Sequence, residues 1–452
     1  MVKHIVAASM LCATLSACVA GKPDRLYAGT AKVDITPDRA VISAADGESF
    51  RLPDNLPAGE KTPPDNVHDP LYARVLVLKN NHVSLAVVSV DLAFLSSKRV
   101  IDEAKKQWGL NHVILSATHT HSGMVPRGLC PTARGWGWCF AQADPGESLD
   151  WPGFSEDPWY AATEEKVIAA IGEATRNLFP ARIASGQSRF ESEYMAHNRR
   201  LVNSDGTVSM LWSNPDRIAT KPLDPTVRVI RVDDEAGQPR ALMVHYACHP
   251  VILMGAGWVS RDFPGAAVDY IEGKLGDSCM AMFLQGALGD IDPYETSLRG
   301  EQGFNMVRQA GISLGEAALR VAQGLPASRQ DTRVSMRVKE SMVKIPHRTE
   351  NKFSDACVIT VVINDDLALV TIPGAPFVQH QLNLSEKSPV PNTLMLGVAY
   401  CGQGSPFLVY IPTVQAAKEG GRGATECCFV SADAGDRMVN AAVASINELV
   451  AK

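Results

Sequence analysis

A run of branched apolar residues, Val113-Ile114-Leu115, leads directly into a polar segment at residues 116–123, Ser-Ala-Thr-His-Thr-His-Ser-Gly. The run predicts a buried β-strand, and strand ends are where open α/β sheets place their chemistry. Side chains alternate along a strand, so His119 and His121 would share one face if the segment stays extended. One imidazole could then bind a metal ion while the other transfers protons. Taken alone, a His-x-His pair is more often structural, with both rings bonded to the backbone.

Polar residues follow two further apolar runs in the same way. Residues 241–247 lead into Cys248-His249-Pro250, and residues 279–284 lead towards Asp290 and Asp292. Imidazoles from separate strands, together with an oxygen ligand, would form a three-ligand zinc site that leaves one position open for water. Zinc makes such a water a usable nucleophile near neutral pH. The joint placement of these groups therefore predicts a Zn²⁺ site.

The composition is that of an ordinary globular chain. Of 452 residues, 46% are apolar and 20% are charged, and the net charge of -6 gives no reason to expect nucleic-acid binding. Helices are predicted over residues 97–108 and 304–323, and a third helix is predicted to begin with Thr163 as its N-cap. Predicted strands lie between these helices. This mixture predicts an α/β fold, a mixed β-sheet core with flanking helices. No linker divides the chain, so residues 19–452 are predicted to form one catalytic domain.

The first residues are predicted to be a targeting segment, residues 1–18. Residues 5–17 form a short apolar stretch that ends in Leu15-Ser16-Ala17-Cys18, an order that resembles a bacterial lipoprotein box. A plain signal peptide cut near Ala20 is the alternative. In both cases the mature protein is exported, and lipidation of Cys18 would anchor it to a membrane as a periplasmic or outer-membrane lipoprotein.

Export permits disulfides. Ten cysteines less Cys12 and Cys18 leave eight, of which Cys130 and Cys139 bracket a Gly- and Trp-rich loop and are the best candidates for a bridge. Four of the seven tryptophans fall within residues 124–159, a composition typical of a lid or wall beside a functional site.

Six segments of the chain carry a family resemblance. Residues 117–123 resemble the signature of the neutral/alkaline (non-lysosomal) ceramidase family. Residues 28–36, 197–200, 247–249, 289–293 and 409–413 are similar to further segments of that family, in the same order. The matches cover nearly all of the chain after the targeting segment. The sequence is therefore identified as similar to the N-terminal catalytic domain of that family, as a divergent and short member.

The resemblance implies a zinc-dependent amidohydrolase. His119 and His249 would be metal ligands, and Tyr410 would be a further ligand or a contact to the transition state. His121 would act as an acid or base, and Arg199 would contact the substrate or its oxyanion. In that family, water activated by the metal attacks the N-acyl amide of a sphingoid base.

Two positions depart from the family pattern. Asp292 stands where the family has a serine, and it could act as a general base towards water or cap a strand end. Ala375 stands where the family has a metal-binding glutamate after a Pro-Gly turn. Asp262, Asp292, Gln379 or His380 could replace that ligand.

The expected function is thus an exported zinc hydrolase of an N-acyl, ceramide-like amide, acting on a small or lipid-like molecule. An esterase or lactonase on the same fold is one alternative. A non-catalytic ligand-binding lipoprotein is another, favoured by the missing glutamate and serine. A serine hydrolase is a third class, but the chain has no Gly-x-Ser-x-Gly elbow.

Overall fold

The computed structural model describes residues 24–38, 67–123, 158–325, 333–349, 351–405 and 407–451. The predicted targeting segment with Cys18, the Cys130–Cys139 bridge and residues 124–157 of the predicted lid lie outside these ranges. The described residues form seven helices: α1 Lys98–Trp108, α2 Pro158–Arg176, α3 Asp262–Leu275, α4 Gly300–Gly324, α5 Val378–Lys387, α6 Val414–Glu419 and α7 Ala434–Val450.

The strands of the described residues are, in chain order, β1 Asp24–Arg25, β2 Tyr27–Asp34, β3 Tyr72–Lys79, β4 Ser84–Val90, β5 His112–Ala117, β6 Phe179–Arg189, β7 Met195–Asn198, β8 Arg200–Val202, β9 Val208–Met210, β10 Thr226–Asp234, β11 Pro239–Tyr246, β12 Met280–Gln285, β13 Ile291–Pro293, β14 Arg333–Val334, β15 Met336–Pro346, β16 Phe353–Ile363, β17 Leu367–Thr371, β18 Ala375–Pro376, β19 Asn392–Leu396, β20 Ala399–Tyr400 and β21 Tyr410–Ile411.

Nine strands make the main sheet, in the order β12-β11-β10-β6-β2-β3-β4-β5-β20. The pairs β4–β5 and β11–β12 are parallel, and the other neighbours are antiparallel. Every residue of β4 and of β12 is buried. This burial explains their nearly continuous apolar sequences, since strands covered on both faces do not alternate with polar residues. The predicted mixed sheet with flanking helices is confirmed.

The main sheet is curled, so that β12 approaches strands near the other end of the sheet order. Ser89 on β4 donates its hydroxyl to the carbonyl of Phe283 on β12, at 2.6 Å. At the end of β12, the amide nitrogen of Gln285 donates to the carbonyls of Thr118 at 2.9 Å and Cys248 at 3.0 Å. The curl therefore brings the end of β5 to the ends of β11 and β12, although β5 is not a neighbour of either strand in the sheet order.

Helices cover both ends of this sheet. Helix α2 crosses β2 so closely that a Cβ atom on Gly29 would lie 1.9 Å from the carbonyl oxygen of Ala174. The prediction of Thr163 as an N-cap is wrong, because α2 begins at Pro158, and Pro suits a first helical turn. The Thr163 hydroxyl instead bonds the carbonyl of Trp159 within the helix.

A second sheet, β15-β16-β17-β19, packs against α7. The described residues also form four separate two-stranded sheets, and two of these carry candidate site residues: β13 pairs with β7, and β18 pairs with β21. Within the described ranges, no helix combines the length and the apolar character that a membrane span needs. The single domain over residues 19–452 stays a prediction.

Candidate metal centre

The His-x-His segment leaves its strand before the first histidine. Strand β5 ends at Ala117, and the amide of His119 donates to the carbonyl of Leu92 at 2.9 Å. His119 has a φ of 66°, in the left-handed region that residues other than glycine seldom adopt. The expectation that an extended backbone places both histidines on one face is therefore wrong. The turn at His119 instead places the rings of His119 and His121 edge to face, with centroids 4.9 Å apart.

His249 joins this pair from the end of β11. The amide of His121 donates to the carbonyl of Pro250 at 3.1 Å, which ties the two loops together. The ring of His249 lies 5.4 Å from that of His119 and 5.6 Å from that of His121, between centroids. One ring nitrogen from each of the three histidines lies within 4.8 Å of the other two. Three imidazoles from two strand exits thus converge on one point.

The hydrogen bonds of two of these rings fix which nitrogen faces that point. Nδ1 of His119 bonds the carbonyl of Ala93, and Nδ1 of His249 bonds the carbonyl of Ile291 at 3.1 Å. A carbonyl oxygen only accepts, so both Nδ1 atoms carry the proton and both Nε2 atoms keep a lone pair. Nε2 of His249 is buried without a hydrogen-bond partner among the described residues. Metal-binding histidines are oriented in this way.

Burial keeps all three imidazoles neutral. Desolvation, together with the nearby His249, lowers the pKa of His119 to about 3. Desolvation and the neighbouring histidines also lower the pKa of His121 well below its ordinary value. For His249, desolvation lowers the pKa although the hydrogen bond to Asp292 opposes it. Neutral imidazole is the form that binds a metal ion, so this donor set fits a Zn²⁺ ion.

Arg199 and Tyr410 lie beside the histidines. The Arg199 guanidinium donates to the carbonyl of Gly289 at 2.7 Å and lies 5.3 Å from the centre of the Tyr410 ring. Burial alone lowers the pKa of Arg199, but a hydrogen bond and charge interaction with Tyr410 and the charge of Asp292 raise it above its ordinary value. The ring of Tyr410 lies 6.3 Å from that of His249. A fixed positive charge and a phenol therefore border the centre.

Asp292 contacts both His249 and Arg199. Its Oδ1 atom lies 3.2 Å from Nδ1 of His249 and 3.4 Å from a terminal nitrogen of Arg199. Burial raises the pKa of this carboxyl, but Arg199 and His249 outweigh burial and hold the pKa below its usual value. Asp292 is thus an ionised partner of a candidate ligand, placed on the far side of the His249 ring from Nε2.

The other proposed oxygen and nitrogen ligands lie elsewhere. The structure does not bring Asp262 to the histidines, because its carboxylate accepts from the amides of Leu253 at 2.9 Å and Phe263 at 2.7 Å. His380 bonds the carbonyl of Pro412. The side-chain amide of Gln379 donates to Asn383.

Ala375, at the position of the expected glutamate, pairs directly with Tyr410 in β18–β21. It offers no ligand atom. Among the His, Cys, Asp and Glu side chains of the described residues, the group that could hold a metal ion consists of the three histidines, and Tyr410 as a further ligand stays a prediction.

Gln285 is a structural support of the site that the sequence did not predict. Besides its two donated bonds, its Oε1 atom accepts from the amides of Cys248 at 3.3 Å and Gly286 at 3.1 Å. It is fully buried and holds together the loops that carry His119 and His249. A polar residue that ends an otherwise apolar strand was the available signal, since a buried amide needs several partners.

Comparisons with known proteins support the fold. The sequence matches no protein-family model and no curated protein. The structure matches neutral ceramidase from Pseudomonas aeruginosa with a TM-score of 0.67 and 17% identity, over 94% of this chain and 75% of that one. The chain has the neutral ceramidase fold. A ceramidase complexed with C2 matches with the same TM-score and 16% identity, over 94% of this chain and 76% of that one.

The resemblance noted in the sequence is thus confirmed at the level of fold. On this ceramidase-like fold, the loops after β5 and β11 carry the three histidines, and β21 carries Tyr410.

Proposed function

We propose that this protein is a zinc-dependent hydrolase that cleaves the amide bond of an N-acyl substrate. The observation that carries the proposal is the convergence of ring nitrogens from His119, His121 and His249 at the strand ends of a ceramidase-like fold, with His119 and His249 buried and His121 partly buried. Three protein nitrogens with one position left open are typical of catalytic zinc sites, whereas structural sites use four protein ligands. When bound, the ion supplies Lewis acidity that activates water and polarises a carbonyl group.

In this proposal His119, His121 and His249 hold the ion. Bonds from their Nδ1 atoms to Ala93 and to Ile291 orient His119 and His249. For His121, the position of its ring in the cluster favours a ligand over the acid or base role that the family resemblance implies. The two roles differ in one respect: replacing a ligand lowers the metal content, whereas replacing an acid or base lowers only turnover.

Arg199 and Tyr410 are proposed to stabilise the oxyanion that forms from the substrate carbonyl. A guanidinium only donates hydrogen bonds and a phenol O–H can donate one, so Arg199 and the adjacent Tyr410 together offer donors to a substrate oxygen. Donors fixed before the reaction stabilise developing charge without reorganisation. Asp292, bonded to His249, is proposed to position that ring rather than to touch the substrate.

The choice of an amide rests on the likeness to two ceramidase structures, one of them complexed with C2. A lipid-like N-acyl molecule is accordingly the proposed substrate. Ester and lactone hydrolysis remain alternatives on the same site. The non-catalytic alternative draws on Ala375, which offers no carboxylate at the position opposite Tyr410.

A hydrolysis screen with metal analysis tests the proposal. Purified protein loaded with zinc is assayed on N-acyl amides, matched esters and lactones, alongside His249→Ala, His121→Ala and a surface control, His82→Ala. We expect amide hydrolysis and about one zinc per chain in the wild type and the control. Both should be lost in His249→Ala and His121→Ala. His121→Ala with full zinc and no turnover would return His121 to an acid or base role, and a wild type that binds no zinc would refute the hydrolase proposal.

We further propose that the protein is exported and anchored as a lipoprotein through Cys18, in the periplasm or at the outer membrane. The support is the apolar stretch and the Leu-Ser-Ala-Cys order at residues 15–18. Mass spectrometry of the mature N-terminus in a bacterial host tests it. A diacylglyceryl group on Cys18 that Cys18→Ala abolishes is expected, and a free terminus near Ala20 would support a plain signal peptide instead.

A further inference from the structure

An exposed tryptophan and a second arginine stand next to the metal centre, and the proposed chemistry gives them no role. Trp212 is 44% exposed and is one of the few exposed large apolar residues among the described residues. The Arg199 guanidinium lies 5.3 Å from the centre of the Trp212 ring, and the Arg422 guanidinium lies 5.8 Å from the same ring. The Trp212 ring therefore lies between Arg199, which is buried, and Arg422, which is more exposed.

Two hydrogen bonds hold the backbone of the segment that carries Trp212. The amide of Leu211 donates to the carbonyl of Arg199 at 2.8 Å, and the carbonyl of Trp212 accepts from the hydroxyl of Thr296 at 2.7 Å. Segment 211–212 is thus bonded both to Arg199 and to Thr296. The indole is presented at the surface from a fixed position.

Arg422 lies in a tightly bonded glycine turn, Gly420-Gly421-Arg422-Gly423, whose three glycines have φ values of 85°, 87° and 80°. Such values favour glycine, because other residues are strained there. The turn is fastened by Arg200, which donates to the carbonyl of Gly420 at 2.6 Å. This arrangement fixes the backbone that carries Arg422 and leaves its side chain over the indole.

The charges of the two arginines are balanced differently. Arg199 has Asp292 at 3.4 Å, but Arg422 has no ion pair with a carboxylate among the described residues. Of the nearby acids, Asp290 bonds Asn198 at 2.7 Å and Glu419 bonds Arg200, whereas Glu426, whose backbone forms a β-bridge with that of Arg422, makes no ion pair with it in the described structure. Among the described residues at the rim of the centre, Arg422 is therefore a positive charge without a carboxylate partner, held over the Trp212 ring. A guanidinium in contact with an aromatic ring keeps N–H groups that can pair with an oxyanion.

We propose that Arg422 and Trp212 form a recognition site for an oxyanion, a carboxylate or a phosphate, on the molecule that occupies the metal centre. This inference rests on the proposed function in one respect, because it takes the molecule at the metal centre to be the substrate. It adds the class of substrate: N-acyl compounds whose polar end is negatively charged. The acyl-bearing part faces the histidines, and the anionic end pairs with Arg422 at the rim.

Binding of three matched compounds tests this site. N-dodecanoylglycine carries a carboxylate, the phosphate ester of N-dodecanoylethanolamine carries a phosphate, and N-dodecanoylethanolamine itself is uncharged. Affinity is measured by calorimetry with the zinc-loaded protein, and initial hydrolysis rates are measured in parallel. One hydrogen-bonded charge pair corresponds to about 10-fold to 100-fold in affinity. We expect at least one anionic compound to bind more tightly than the uncharged one by that factor, and the two anionic arms identify which oxyanion is preferred.

Variants separate recognition from folding. Arg422→Gln should remove the preference and leave affinity for the uncharged compound unchanged, while Arg422→Glu should favour an N-acyl diamine. Trp212→Phe should keep most of the preference because it keeps a ring, and the exposed Arg320→Gln is the matched control. Equal affinity of the wild type for all three compounds would overturn the inference, as would an equal loss for all three in Arg422→Gln. A preference that depends on Arg422 without any hydrolysis would refute the proposed function and leave this inference standing.

Discussion

Replacing Asp292 with asparagine tests how the centre is built. Its carboxylate lies 3.2 Å from Nδ1 of His249, and both groups are buried. Asparagine keeps the shape but removes the charge, while the carbonyl of Ile291, 3.1 Å from the same nitrogen, continues to hold the proton on Nδ1. The ring should therefore stay in place but become a poorer donor to a metal ion. We expect zinc affinity to fall about 10-fold to 100-fold, or about 1.4–2.8 kcal/mol, as for other partners of metal-binding histidines.

The assay is competition for Zn²⁺ with a chromophoric chelator. Asp290→Asn is the matched control, because Asp290 is equally buried, two residues away, and bonds Asn198 and the amide of Val378 rather than a candidate ligand. Its zinc affinity should change by less than about threefold, which is under 1 kcal/mol. Unchanged affinity in Asp292→Asn, or an equal loss in both variants, would refute the proposed role of Asp292.

Two further predictions concern stability. Gly29→Ala should lower the free energy of unfolding by about 3 kcal/mol, because its Cβ would meet the backbone of α2 at 1.9 Å. Gly273→Ala, which has open space around it on α3, should be neutral or stabilising by up to about 1 kcal/mol. Urea unfolding of both variants tests this, and equal effects on stability would contradict the close contact between α2 and β2. Burial raises the pKa of Asp262 from 3.8 to about 7, so the native state holds a proton that the unfolded state releases above about pH 4. Stability should then fall as pH rises from about 4 to about 7, by up to about 4 kcal/mol from this group, and Asp262→Asn should lack that part of the slope; identical slopes in urea titrations would contradict it.

The sequence was informative where burial alone decides the structure. The apolar run at Val113-Ile114-Leu115 predicted a buried strand because a strand covered on both faces must be apolar throughout, and β5 is that strand. The same reasoning placed His249 at the end of another strand. What it could not give was the curl of the sheet, on which the approach of β12 to β5 depends. Gln285, the residue that fastens those strand ends, acquires its role only through contacts distant in sequence.

The site was predictable in its members more than in its geometry. His119 and His249 were expected near one another, but their approach depends on a left-handed turn at His119 that strand periodicity does not predict. From the sequence, Asp262 was a candidate replacement ligand, but in the structure its side-chain oxygens accept hydrogen bonds from the amides of Leu253 and Phe263. Arg422 gave no signal because its position over Trp212 comes from a turn fastened by a distant arginine.

X-ray absorption at the zinc edge tests the central claim most directly, since it reports the atoms bound to the ion. Protein loaded with one equivalent of Zn²⁺ should show nitrogen or oxygen neighbours at about 2.0–2.1 Å, with outer-shell scattering from three imidazole rings. His249→Ala should lose one ring from that pattern or fail to bind zinc. Sulfur neighbours at about 2.3 Å, which would place the ion on cysteines, or a spectrum unchanged in His249→Ala, would contradict a centre built from His119, His121 and His249.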